Sequence, residues 1–171
     1  QLALENEDFA LITGTAGSGK SSALRYFISQ VDPSVYPQVY ITAENYKITD
    51  IAKLLLAGLN LTVPYQGYTA LRMLKNEVKK MYTHHRRKPI LIIDEVQQLS
   101  ISTLSSIKNL VNFNMDSASM LLIILCGHFD LINKIKNIQL ESLRRRIRIH
   151  SKVEPMSLEE CTKYINYHMK R

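Results

Sequence analysis

The chain alternates short apolar runs with longer segments in which apolar residues recur every three or four positions. An apolar run of about four to eight residues is typical of a buried strand, and the longer spacing is typical of an amphipathic helix. Four runs stand at residues 9–13, 38–42, 90–93 and 120–126, and residues 147–153 are a candidate fifth strand.

Helical spacing fills the intervals between these runs. The pattern predicts helices over residues 20–29, over 49–58, from 69 onward, after Ser100 or Ser102, over 140–147 and from 157 onward. Thr49-Asp50 is the expected cap of the second helix, and Ser157 with Glu160 forms a capping-box pattern at the last. Residues 60–67 contain proline and glycine, which indicates a connection.

Strands separated by helices imply a parallel sheet, because a parallel connection needs a crossover long enough to hold a helix. We therefore predict the α/β class, with a five-stranded, mostly parallel sheet between two helical layers. A chain of 171 residues is expected to form one core. Ligands of such sheets bind beyond the carboxyl ends of the strands.

A glycine-rich motif lies between the first predicted strand and the first predicted helix. Its residues match the P-loop pattern in full: Gly14, Thr15, Ala16, Gly17, Ser18, Gly19, Lys20 and Ser21. Successive N–H groups of such a loop point at an anion, and the glycines let phosphates approach closely. Lys20 is expected to reach the β- and γ-phosphates of ATP, and the Ser21 hydroxyl to ligate Mg²⁺. A chance Gly/Ser-rich turn is the alternative, which the strand and helix on either side disfavour.

Two acids end the third predicted strand. Asp94 is a candidate ligand of Mg²⁺, and Glu95 is a candidate base for the water that attacks the γ-phosphate. An acidic helix start is the alternative, because carboxylates are favoured at helix N-termini. Together with the P-loop, the adjacent Glu95 indicates hydrolysis rather than nucleotide binding alone, so a non-hydrolysing nucleotide switch ranks lower.

Other nucleotide-binding classes fit the sequence less well. The segment Asn133-Lys134-Ile135-Lys136 lacks the acid of a guanine-reading element, and the Leu-Ser-Gly-Gly signature of transporter ATPases is absent. Small-molecule kinases rarely end this strand in Asp-Glu and rank third.

Two further features suggest roles near a triphosphate. His128 follows the fourth predicted strand, where a polar side chain could contact the γ-phosphate or the attacking water; a simple turn residue is the alternative. Arg144, Arg145 and Arg146 are consecutive, and one of them could enter a neighbouring subunit's ATP site as an arginine finger. A solvated or DNA-facing basic patch is the alternative.

Composition adds a basic balance and little else. The 22 Lys and Arg residues against 15 Asp and Glu give a net charge of +7, which favours acidic partners. The two cysteines have no metal-ligand spacing, and Cys126 is expected to be a small core residue. Nothing about them indicates an oxidising compartment, so a cytoplasmic chain is expected. We find no signal peptide or membrane segment. The start without Met suggests an excised segment.

These motifs together resemble the AAA+ ATPases of the ExeA/GspA-like group, whose transposition relatives are MuB, TnsC, TniB and IstB. The resemblance spans nearly the whole chain and is carried by residues 11–14 with 20–25, 91–99, 125–131, 146–147 and 156–160 with 164–165. It adds Ser22 to the phosphate-binding residues and favours Arg146, which falls on the family's Arg before Ile, as the finger. His128 stands where Gln is common in the family.

The resemblance implies an AAA+ core over residues 1–155 and the start of a truncated helical lid over 156–171. It implies ATP and Mg²⁺ as ligands, a homo-oligomer, and either of two roles. One is a transposition regulator that binds duplex DNA and acts on a transposase, with Lys47, Lys53 and Arg86-Arg87-Lys88 as DNA-facing candidates. The other is a secretion-assembly ATPase of the ExeA type with a secretion component as its partner.

Overall fold

The computed structural model describes residues 7–113 and 118–155, together with residues 157, 159, 160 and 162. Its five strands are β1 (Phe9–Gly14), β2 (Gln38–Thr42), β3 (Ile90–Asp94), β4 (Leu122–Gly127) and β5 (Ile147–Val153). They form one sheet in the order β2-β3-β4-β1-β5, and every neighbouring pair is parallel. The predicted α/β class and five-stranded parallel sheet are confirmed.

One or two helices lie between successive strands along the chain. They are α1 (Lys20–Ser29), α2 (Ile48–Gly58), α3 (Gly67–His85), α4 (Ile101–Ile107), α5 (Asp130–Ile135) and α6 (Glu141–Arg144), with short 3-10 turns at Val96–Gln98, Lys108–Leu110 and Ile138–Leu140. The Ser100 hydroxyl accepts a hydrogen bond of 3.1 Å from the Thr103 N–H, so Ser100 is the cap of α4.

Alternate residues of the central strands enter two separate cores. Ile90, Ile92 and Ile124 pack with Leu24 of α1 on one face of the sheet. The other face is covered by α2 to α6, which pack against the intervening positions Leu91, Ile93, Phe9, Leu11, Ile123 and Leu125. This arrangement confirms the three-layer sandwich, and it leaves β2 and β5 as the edge strands.

Some predicted boundaries were wrong. Residues 140–147 do not form one helix, because α6 ends at Arg144 and Ile147 already pairs with Phe9 in the sheet. The helix α2 begins at Ile48, before the predicted cap, since the Asp50 carboxylate accepts a 2.9 Å hydrogen bond from the Lys47 N–H.

The capping box before the last predicted helix is present. The Ser157 N–H donates to Glu160 Oε2 at 2.8 Å, and the Glu160 N–H donates to Ser157 Oγ at 3.3 Å. Most of the proposed lid, residues 156–171, lies outside the described residues, so its assignment stays a prediction.

Candidate nucleotide site

The P-loop connects the carboxyl end of β1 to the first turn of α1. Gly17 and Gly19 have φ angles of 75° and 90°, a left-handed region that glycine enters without a Cβ clash. The Ser18 N–H donates to the Thr15 carbonyl at 3.3 Å, and the Ala23 N–H to the Gly19 carbonyl at 2.8 Å. The loop therefore curls into a compact turn from which α1 starts.

The Lys20 side chain lies over this loop. It is 8% exposed, and its ammonium donates hydrogen bonds to the carbonyls of Gly14 at 3.1 Å and Thr15 at 2.8 Å. The Thr15 and Ser18 hydroxyl oxygens are buried without a hydrogen-bond partner. Leaving such groups unpaired costs about 1–3 kcal/mol each. A cradle with a buried cation and two unpaired hydroxyls fits a phosphate group.

The two predicted magnesium ligands lie together. The Ser21 hydroxyl donates to Asp94 Oδ2 at 3.3 Å, and Asp94 is only 4% exposed. Asp94 Oδ2 also accepts the Tyr40 hydroxyl at 2.5 Å, while Asp94 Oδ1 accepts the Glu95 N–H at 2.9 Å. A hydroxyl beside a carboxylate is the oxygen donor set that Mg²⁺ takes in P-loop sites. These residues therefore fit the metal.

Hydrogen bonding keeps Asp94 ionised despite its burial. Burial raises the pKa of Asp94, but donors from Tyr40, the Glu95 N–H, Cys126 and Ser21 outweigh it and leave the pKa below the usual value. Burial and the Asp94 charge raise the pKa of the Cys126 thiol to about 12. Burial first, and then the hydrogen bond to Asp94, raise the pKa of Tyr40 to about 12. Both neighbours thus remain neutral donors at physiological pH.

Glu95 stands at the bend after β3. Its φ angle of 54° is left-handed, which is uncommon for a residue with a side chain. The bend leads into the 3-10 turn Val96–Gln98, and the Gln97 side-chain amide donates a hydrogen bond to Glu95 Oε2. The other end of that amide, Gln97 Oε1, accepts the His128 N–H at 3.1 Å.

His128 therefore hydrogen-bonds to the Glu95–Gln97 pair through its main-chain N–H. Its ring Nδ1 lies 3.1 Å from Asp130 Oδ2, and the ring packs edge-on against Phe129. Contact of the ring with a γ-phosphate stays a prediction.

The predicted arginine finger lies far from the chain's own P-loop. Ile147, next to Arg146, pairs with Phe9 at the start of β1, whereas Gly14 at the end of β1 pairs with Val153. Six strand residues separate the two ends by about 17 Å. Arg146 Nη2 donates to Asn112 Oδ1 at 3.0 Å, and Arg145 pairs with Glu141 at 2.6 Å. The finger role of Arg146 therefore stays a prediction, and it would require a second subunit.

The candidate DNA-facing residues differ in how far their side chains are exposed. Lys47 and Arg86 are exposed, whereas Lys53 is half-buried and donates to the Tyr65 carbonyl at 2.5 Å. Lys88 is 5% exposed and donates to the Glu7 carbonyl at 3.2 Å and to the Ser119 hydroxyl at 2.7 Å. The prediction that Lys88 faces DNA is therefore wrong, because its ammonium is buried and joins the chain at Glu7 to Ser119.

Sequence reasoning missed three residues that contact the acids: Tyr40, Gln97 and Cys126. In the edge strand β2, the exposed Tyr40 side chain lies on the opposite face from its buried sequence neighbours Val39 and Ile41. That alternation predicts which face of the strand Tyr40 occupies. The local sequence does not predict that β2 pairs with β3. Gln97 carried a weak signal, since a polar residue two positions after Glu95 in a tight turn can return to the carboxylate.

The comparisons with known proteins agree with this fold. The chain is 23% identical over 164 residues to the General secretion pathway protein A of Aeromonas hydrophila, covering 94% of this chain and 29% of that protein. The chain thus spans less than a third of its relative's length.

Among the described residues, no helix is both long and apolar enough to cross a membrane.

Two solved structures share the architecture. Cdc6p from Pyrobaculum aerophilum superposes with a TM-score of 0.75 at 21% identity, over 95% of this chain and 43% of that one. The ADP form of the Aeropyrum pernix ORC2 protein gives 0.75 at 16% identity, over 96% and 46%. The sequence pattern described as the AAA domain matches residues 3–135. This chain belongs to the AAA domain family.

Proposed function

We propose that this chain binds ATP with Mg²⁺ in the Gly14–Ser21 loop and hydrolyses it, with Glu95 as the base. The proposal is carried by the 3.3 Å contact between the Ser21 hydroxyl and Asp94 Oδ2, two residues 73 positions apart in the sequence. This contact joins the P-loop to the end of β3, so that the phosphate cradle and the two acids form one site.

Each residue has a distinct task in this reaction. The loop N–H groups and the Thr15 and Ser18 hydroxyls bind phosphate oxygens, and the Lys20 ammonium exchanges carbonyl acceptors for phosphate oxygens. Ser21 and Asp94 would hold Mg²⁺, which when bound neutralises charge developing on the transferred phosphoryl group. Glu95 accepts the proton of the attacking water. Arg146 contributes its charge from a neighbouring copy in a homo-oligomer.

The test is the variant Glu95→Gln, which keeps the size and loses the base. We expect ATP turnover to fall by about 100-fold or more, because general-base catalysis supplies that order of acceleration. Affinity for Mg²⁺·ATP should be retained. The control is Glu141→Gln, a surface carboxylate on α6 that pairs with Arg145 at i,i+4. Unchanged turnover in Glu95→Gln would reject Glu95 as the base.

For the biological role, we infer an ATPase unit of a secretion-assembly protein. The resemblance to a protein named for the general secretion pathway supports this role over transposition. Regulation of a transposase on duplex DNA remains the alternative, which the net charge of +7 favours.

Binding to a random DNA duplex separates these roles. Fluorescence anisotropy with ATP at about 50 and 200 mM salt should detect ATP-dependent binding that weakens steeply with salt if the chain works on DNA. Absent or salt-insensitive binding would support the secretion role.

A further inference from the structure

The Gln97 side chain bridges the carboxylate of Glu95 and the main chain that follows β4. Gln97 Nε2 donates to Glu95 Oε2, and Gln97 Oε1 accepts the His128 N–H at 3.1 Å. The orientation of the amide is fixed by chemistry. An ionised carboxylate only accepts hydrogen bonds and a backbone N–H only donates. A flipped amide would therefore set its oxygen against the carboxylate oxygen and its NH₂ group against the His128 N–H.

The surroundings are shaped to admit this bridge. A Cβ added at Gly127 would lie 2.5 Å from Gln97 Oε1 and 3.0 Å from Leu131 Cδ2. Glycine at position 127 therefore leaves room for the amide beside the last residue of β4. The main chain under Gln97 is tied independently, because the Lys134 ammonium donates to the carbonyls of Gln97 at 2.8 Å and Leu99 at 2.5 Å.

We propose that Gln97 is a positioning residue that holds the Glu95 carboxylate for hydrolysis and ties it to the carboxyl end of β4. The inference rests on the proposed function, since it assumes that Glu95 is the base. The amide engages Oε2 and leaves Oε1 to accept a proton from water. Without this amide, the Glu95 carboxylate on its left-handed backbone bend would rotate among several rotamers. It would then lose the orientation toward water that catalysis requires.

The bridge also gives a direct route between two parts of the site. The His128 N–H and the Glu95 carboxylate share one amide, so a shift of the chain after β4 moves the carboxylate. In this chain the coupling acts through the main chain of His128 and does not need its ring.

The principal variant is Gln97→Ala, compared with Gln98→Ala at the neighbouring exposed position. We expect Gln97→Ala to lower kcat by about 10- to 100-fold, the order that misplacement of a catalytic group costs. The dissociation constant for Mg²⁺·ATP should stay unchanged, because the hydrogen bonds of Gln97 go to Glu95, His128 and Lys134 and not to the P-loop. Gln98→Ala should behave like the parent chain in both measurements.

Two further measurements test the Gln97 bridge without relying on ATP turnover. Amide hydrogen exchange at His128, followed by NMR without nucleotide, should become several-fold faster in Gln97→Ala, because the N–H loses its acceptor. Gly127→Ala should show the same faster exchange with Gln97 intact, since its Cβ displaces the amide. A melting temperature close to the parent's identifies a folded variant.

The outcomes separate this inference from the proposed function. If Glu95→Gln abolishes turnover while Gln97→Ala turns over at the parent's rate, the positioning role is overturned and the base stands. Unchanged His128 exchange in Gln97→Ala would likewise overturn the bridge. If Glu95→Gln itself keeps full turnover, the proposed function fails, whatever Gln97 does.

Discussion

The Tyr40 hydroxyl donates a hydrogen bond of 2.5 Å to Asp94 Oδ2, reaching it from the adjacent edge strand. The same oxygen accepts the Ser21 hydroxyl. Because the pKa of Tyr40 is raised to about 12, the phenol remains a donor throughout the physiological range. Tyr40 thus fixes the orientation of the carboxylate that we assign to the metal.

The first prediction concerns this contact. Tyr40→Phe should raise the Mg²⁺ concentration needed for half-maximal ATP turnover by about tenfold, since outer-shell partners of metal ligands typically contribute 10- to 100-fold. Titration of turnover with Mg²⁺ measures it. The matched control is Tyr26→Phe, whose ring is 70% exposed on α1. An unchanged or lower Mg²⁺ requirement in Tyr40→Phe would show that the phenol does not support the metal.

The second prediction concerns Arg146 at the edge of the sheet opposite the P-loop. Arg146→Ala should lower turnover by about 1000-fold, within the range for arginine fingers, and leave ATP affinity unchanged. Mixing it with Lys20→Ala should restore part of the activity, because the Lys20 variant keeps its arginine and the Arg146 variant keeps its P-loop. Arg145→Ala is the control. Failure of every mixing ratio to restore turnover would argue against action between subunits.

The third prediction concerns Gly14, where β1 meets the loop. A Cβ there would lie 2.5 Å from the Val153 carbonyl oxygen and 2.5 Å from the Ser18 hydroxyl. Gly14→Ala should lower the free energy of unfolding by about 1–3 kcal/mol, as overpacking against the main chain does. It should also weaken ATP binding. Ala57→Ser on the exposed surface of α2 should change neither, and equal denaturant midpoints for the two variants would contradict the steric argument.

The fourth prediction concerns pH and Lys88. Burial lowers the pKa of Lys88 from 10.5 to about 8, although the nearby Asp8 and Glu7 charges act in the opposite direction. Between these values the unfolded chain binds more protons than the folded chain at this residue, so its contribution to stability rises with pH. Below about pH 8 the cost of burying the charge is present in full, and above 10.5 it is gone.

A comparison with Lys88→Met isolates this contribution. The unfolding free energy of the parent, minus that of the variant, should increase from pH 8 to 10.5, as measured by urea denaturation. Titration of Tyr40 and Cys126 occurs in both proteins and cancels in the difference. A difference independent of pH would mean that Lys88 keeps its ordinary pKa.

The local sequence accounts for much of the fold. The apolar periods located all five strands, because alternation and continuous apolar runs report how each strand is buried. Two boundaries failed. The one at residues 140–147 depends on sheet pairing with distant Phe9, whereas the start of α2 depends on the local hydrogen bond from the Lys47 N–H to Asp50. Leu140 and Leu143 are apolar at a helical spacing, yet sheet pairing from Ile147 ends the helix.

What the sequence by itself determined is which contiguous residues carry the proposed chemistry: the loop of Gly14–Ser21 and the acids Asp94 and Glu95, whose proposed roles follow from spacing and backbone geometry. Only the tertiary structure decided which side chains support those acids. Tyr40 reaches Asp94 across 54 positions because β2 lies beside β3, and Gln97 meets His128 because β3 lies beside β4. Strand order also buried Lys88 and placed Arg146 away from its own P-loop. Such contacts depend on how distant elements pack, and the local periodicity of apolar residues holds no information about that.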